Sequence, residues 1–201
     1  MNIKEILIDK IKKNGSINVA EFIQTCQFEN DGYYLKNNPI GRANDFITSP
    51  EISQMFGEVL AIFLINYWEN KIKNNFNLVE LGPGKGTLLK DILRTSSVNQ
   101  KFLNSMSLTL IEKNKSLIDI QKRILTSENM TWCEEFDIAN KNIPSIIYSN
   151  EFFDCFPVQQ FHKKEKWYEK FVNYNEVEQN FTLMSKQVED KMILKSLEKF
   201  E

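Results

Sequence analysis

From Phe76 to Ser149 the chain alternates short apolar runs with segments of helical periodicity, and this alternation narrows the fold more than any other feature. Strands are predicted at Phe76–Leu81, Ser107–Glu112, Met130–Cys133 and Ser145–Ser149, with helices at Thr87–Leu93 and Ser116–Leu125 between them. Strands joined through helices run parallel, in a sheet covered on both faces. The expected class is therefore α/β with a Rossmann-like parallel sheet. The first quarter of the chain reads as mostly helical. Ile3, Ile6, Leu7 and Ile11 share a helix face that ends at Asn14-Gly15, and Val19–Phe28 makes a second helix. Asp31–Phe46 has no period and reads as a loop. Ser49-Pro50-Glu51 supplies a hydroxyl cap, a proline in the first turn and an acid at the positive end of a helix. That helix is predicted to run to Trp68 with Ile52, Met55, Phe56, Val59, Leu60 and Phe63 on one face, and Ile52, Met55, Phe56 and Phe63 are expected in the core. After Phe161 the pattern becomes a β-hairpin, Trp167–Tyr174 and Asn180–Lys186, followed by a helix over Val188–Phe200. The expected division is a helical extension over residues 1–75 and a sheet domain over 76–201 that contains the hairpin 167–186.

Composition removes several alternatives. With 201 residues, 42% of them hydrophobic, the chain can bury a real core, and a net charge of −2 gives it no reason to seek nucleic acid or an anionic membrane. No apolar run has the length of a membrane span, and the charged amphipathic N-terminus lacks a signal-peptide core, which points to the cytoplasm. Cys26, Cys133 and Cys155 are scattered and odd in number, so buried reduced thiols are expected rather than a metal site or disulfides.

The first predicted strand ends in Glu80-Leu-Gly-Pro-Gly-Lys-Gly-Thr-Leu-Leu89. A P-loop needs Ser or Thr directly after Gly-Lys, and here Gly84-Lys85 is followed by Gly86. A dinucleotide fingerprint needs a third glycine where this chain has Thr87, which disfavours a nicotinamide oxidoreductase. An acid, one spacer and G-x-G-x-G is the layout of the S-adenosylmethionine loop of class I methyltransferases. On that reading Gly82, Gly84, Gly86 and Thr87 bring backbone against the cofactor, and Glu80 faces its ammonium group. Glu112, ending the second strand, is placed to accept both ribose hydroxyls. After the third strand, spacing leaves open whether Glu134, Glu135 or Asp137 meets the adenine amino group. All these groups fall at the carboxyl ends of the strands, where open parallel sheets bind ligands.

Three blocks, DFITSPEISQMFGE, VELGPGKGTLLKDILR and SNEFFDCFPVQQF, make the chain resemble the MidA-like family, the class I methyltransferases related to the mitochondrial complex I assembly factor. The resemblance covers nearly the whole chain. It implies S-adenosyl-L-methionine-dependent methylation of a protein arginine, with a respiratory complex I (NADH dehydrogenase) subunit as the substrate during assembly. A location in the mitochondrial matrix is implied for a eukaryotic protein, or in the cytoplasm for a bacterial one. Guanidinium is protonated in essentially all settings, so carboxylates are needed to hold it and accept a proton. Glu151 and Asp154 are the catalytic candidates, with Asn150 beside the cofactor, although Asn150 or Asp154 could equally cap a following helix. Asp45, Thr48, Ser49 and Glu51 are candidates for a lid or substrate contact, and Ser49 and Glu51 could equally be capping residues. His162, beside Lys163 and Lys164, reads as a surface residue.

The chain departs from the family pattern at Asn44, where members carry glycine, and at Gln159, where many carry histidine. It also ends at Glu201, before the apolar strand that continues the family sheet, so the last sheet strands are expected to be absent. The fourth strand would then be an open edge, or be covered by the hairpin or a second copy, and self-association or reduced stability is expected. A non-catalytic partner-binding module that retains a methyltransferase core is the alternative to an enzyme.

Overall fold

The computed structural model describes residues 2–29, 32–36, 47–126, 129–135 and 143–200; the side chains of residues 35 and 36 are not among the parts described. In chain order come α1 (Ile3–Asn14), β1 (Ile17–Asn18), α2 (Val19–Phe28), α3 (Tyr33–Lys36), α4 (Ser49–Ile52) and α5 (Gln54–Tyr67), which a π-helical turn extends over Trp68–Ile72. Then follow β2 (Phe76–Leu81), α6 (Thr87–Ser96), α7 (Gln100–Ser105), β3 (Met106–Ile111), α8 (Lys115–Ile124), β4 (Met130–Cys133) and β5 (Ser145–Ser149). Last are β6 (Phe161–Lys163), β7 (Trp167–Asn175), β8 (Asn180–Gln187) and α9 (Lys191–Leu197). No helix among the described residues is long and apolar enough to cross a membrane.

The chain forms two compact units whose boundaries differ from the expected division at residue 75. One joins residues 1–38 to 155–201, and the other is residues 39–154. In the first, β7 pairs antiparallel with β8 on one side and with β6 and β1 on the other. Leu7 and Ile11 of α1, Ile17, Val19 and Val172 form its core. Asn2 and Glu5 close a reciprocal cap on α1, and Gly15, at φ 80°, ends it by donating to the Ile11 carbonyl.

The second unit is a four-stranded parallel sheet in the order β4-β3-β2-β5. β5 pairs only with β2 among the described residues, and the hairpin β7-β8 pairs in the other sheet. The core is built on Phe76, Leu78, Leu88, Leu89, Ile92, Phe102, Leu108 and Leu110, and Trp68 and Phe76 both pack on the Phe102 ring.

Several expectations are corrected here. The helix from Ser49 is broken at Ser53, whose extended backbone (φ −148°, ψ 130°) separates α4 from α5 and whose hydroxyl caps Met55. Ser49 therefore lies inside the first turn of α4, and the capping position belongs to Thr48, which makes no side-chain cap bond. α5 also buries a different face from the one predicted. Gly57, Ala61, Leu64 and Trp68 point inward, whereas Ile52, Met55, Phe56, Val59, Ile62, Phe63 and Tyr67 are exposed. A Cβ on Gly57 would lie 2.6 Å from the Asp91 Cβ, so α5 and α6 approach closely along the small-residue stripe, which a bulkier face could not do. Lastly, Tyr33–Lys36 is a helical turn within the stretch read as a loop, and the three cysteines are half-buried rather than buried.

Candidate functional site

The register of the parallel sheet sets the geometry. Leu81 lies opposite Ile111 on one side and Ser149 on the other, and Ile111 lies opposite Cys133, so four strands end level. The next residues are Gly82, Glu112, Glu134 and Asn150. The Gly82 N–H donates to the Ile111 carbonyl at 3.0 Å, and the Glu112 N–H to the Cys133 carbonyl at 2.9 Å, carrying the ladder one step past the strands. The sheet thus brings the glycine loop, Glu112, Glu134, Glu135, Asn150 and Glu151 to one edge. Asp137 and Asp45, with Asn44, lie outside the described residues.

Glu80 is 3% exposed at the end of β2. Burial drives its carboxyl up to about 8, against the opposing hydrogen bond that the Tyr148 hydroxyl donates at 3.0 Å. Tyr148 is the cross-strand partner of Glu80 on β5, so the parallel pairing itself aims the hydroxyl. Glu112 is half-buried, and burial raises its carboxyl too. The N–H groups of Asn114 and Lys113 and the Gln121 side chain donate to it and oppose that rise.

All three loop glycines take positive φ: 63° at Gly82, 56° at Gly84 and 83° at Gly86. What two of them make room for was not expected from sequence. A Cβ on Gly82 would fall 2.3 Å from the Phe152 ring, and one on Gly86 3.2 Å from Leu125. These two positions yield to the protein's own packing. Gly86 also occupies the N-cap of α6, with Thr87 as its first residue. The Thr87 hydroxyl donates to Glu51 at 2.6 Å, tying α4 to the glycine loop. Thr48 is buried, and its carbonyl accepts the Glu51 N–H at 2.9 Å.

Glu151 is exposed and has φ 48°, a left-handed backbone that costs free energy in a non-glycine residue. Asp154 is exposed in a single 3-10 turn, Phe153–Cys155. Among the described residues no α-helix follows directly for Asn150 or Asp154 to cap, so the capping alternative falls. In the other unit, Gln159 donates to Glu169 at 3.1 Å. His162 stacks on Tyr168, and its Nδ1 is buried without a partner. Partial burial, Lys170 and Lys164 push its pKa down.

Residues 59–201 match the family described as "Putative S-adenosyl-L-methionine-dependent methyltransferase". The chain belongs to this family. It is 40% identical to the protein arginine methyltransferase NDUFAF7, mitochondrial, of Bos taurus, over 78% of this chain and 41% of that protein. It is 37% identical to the Homo sapiens protein of the same name, over 83% of this chain and 44% of that one. The chain thus spans less than half the length of the curated relatives it matches. A Burkholderia thailandensis protein crystallised bound to S-adenosyl-homocysteine has the same fold, with a TM-score of 0.79 over 98% of this chain and 52% of that one, at 19% identity.

Within this family member, two residues of the strand-end site escaped the sequence reading. Tyr148 sat inside an apolar strand with nothing to mark its cross-strand partner. Gln121 did carry a signal, because it takes a core position on α8 between Leu117 and Leu125, where the pattern calls for an apolar side chain.

Proposed function

We propose that this chain carries the methyl-donor site of an S-adenosyl-L-methionine-dependent protein arginine methyltransferase. The observation that carries this reading is the level ending of β5, β2, β3 and β4, with a buried acid, a glycine loop and a second raised acid along one edge. The fit to the cofactor rests on those acids. Glu80 is buried with a neutral hydroxyl against it, so a ligand ammonium would supply the charge that its ionised form lacks. Glu112, kept from full desolvation by backbone N–H groups, suits a pair of ribose hydroxyls, and Glu134 or Glu135 the adenine amino group. When bound, the cofactor supplies an activated methyl group on a sulfonium.

The remaining work falls to residues of this chain. Glu151 and Asp154 hold the guanidinium by charge-assisted hydrogen bonds and take up the proton it must lose. The left-handed backbone of Glu151 supports a functional constraint there. Thr48, Ser49 and Glu51 cover the site, and the Thr87–Glu51 bond supports this for Glu51. The family resemblance gives the substrate as a respiratory complex I subunit during assembly, in the mitochondrial matrix of a eukaryote or the cytoplasm of a bacterium. A second copy would pair along β5, which pairs only with β2 among the described residues.

The exposed apolar face of α5 favours a second reading, a partner-binding module without catalysis. Transfer of radiolabelled methyl from the cofactor to isolated complex I subunits separates the two. Incorporation into an arginine, reduced at least about a hundredfold in Glu151→Ala with cofactor affinity unchanged, supports the enzyme. No incorporation by a chain that binds the cofactor supports the module, and unchanged transfer in Glu151→Ala removes that residue from catalysis.

A further inference from the structure

We infer that Gln121 is a positioning residue that locks the glycine loop, the Glu112 acid and the end of β4 into one frame. The inference rests on the cofactor reading above. Leu117 and Gln121 are the buried residues of α8, with Leu125 buried just past its last residue, and Gln121 is the fully buried member, at 0% exposure. An amide in that position is costly unless its donors and acceptor are used. Here they are. Nε2 donates to the Gly84 carbonyl at 2.7 Å, the amide also donates to the Glu112 carboxylate, and Oε1 accepts from the Trp132 indole at 2.9 Å. The orientation is fixed by chemistry, because a carbonyl only accepts and an indole N–H only donates.

These three partners come from three different strand ends. Gly84 belongs to the loop after β2, Glu112 follows β3, and Trp132 precedes Cys133 and Glu134 on β4. Backbone ladders align the strands but end one residue beyond them, whereas the loop carbonyl of Gly84 lies further out. Gln121 is the side chain that carries the alignment from Glu112 and β4 into the loop. A ligand held by the loop at one end and by Glu112 at the other therefore depends on this amide without touching it, and a ligand held only at the Glu112 end does not.

The test is calorimetric titration of the full chain with S-adenosylhomocysteine, which would span both ends, and with adenosine, which would occupy one. In Gln121→Met, which keeps the volume and loses all three bonds, affinity for S-adenosylhomocysteine is expected to fall at least about thirtyfold and affinity for adenosine no more than about threefold. Trp132→Phe removes one of the three bonds and leaves both donor bonds of Gln121 in place. It should show the same ranking with a smaller contrast, and it serves where the methionine variant fails to fold. An equal loss for both ligands would reduce Gln121 to a packing residue, and no loss would remove it from the site altogether. Failure of the unsubstituted chain to bind either ligand would overturn the cofactor reading itself, an outcome distinct from an equal loss in the variants.

Discussion

α5 and the β2–α6 turn are neighbours in sequence, and they yielded very differently to inspection. The turn spends three glycines in five residues after an acid, and few backbones satisfy that spacing at a strand end. α5 is apolar on nearly every side, so helical periodicity says only that it is buried somewhere. The side that packs is chosen by the close approach at Gly57 and Ala61, and the larger side chains Met55, Val59, Ile62 and Phe63 are left outside. Rare residue types fix a position, whereas abundant ones fix only a tendency.

The largest effect expected from this contrast concerns the buried acid at the turn. The folded chain keeps a proton on Glu80 up to about pH 8, and the unfolded chain releases it near 4.5. Its contribution is fully present below pH 4.5 and lost as pH rises to 8, by up to about 5 kcal/mol. Urea unfolding from pH 5 to 9 should show this loss relative to Glu80→Gln, and parallel pH profiles would mean that Glu80 is not buried as described. Next comes Gly57→Val, which wedges α5 from α6 and should cost about 3 kcal/mol. A neutral result would put α5 on its other face. Thr87→Val, which removes the bond to Glu51, should cost about 1 kcal/mol and leave α5 unaffected. The smallest effect belongs to Phe63→Ala, 63% exposed, which should stay within about 0.5 kcal/mol of the unsubstituted chain in the same unfolding experiment.

Much of the fold was legible. β2, β4 and β5 have the predicted bounds, because bulky apolar residues bounded by turn residues leave little freedom in register. β1 and β6 were missed. Two or three residues carry no period, and they are strands only because β7 offers them an edge. The break at Ser53 was hidden by the good helix start four residues earlier. For the site, the positions at the strand ends could be read from sequence, but their partners could not. Tyr148 meets Glu80 across a strand pair 68 residues apart, and Gln121 meets Gly84 at 37. Such contacts depend on register, and the spacing of a single strand does not contain it. The glycines show the same limit, since Gly82 was correctly marked as a place that excludes a side chain while the neighbour that excludes it, Phe152, comes from the far side of the sheet sequence.

The measurement that bears most directly on the account is calorimetric titration of this chain with S-adenosylhomocysteine, with NAD as the control ligand and Gly84→Val alongside. At φ 56° a β-branched residue cannot hold the loop, so the account predicts saturable binding of S-adenosylhomocysteine alone, weakened at least about a hundredfold in the variant. A folded chain that binds neither ligand, or a variant that binds as well as its parent, would contradict it.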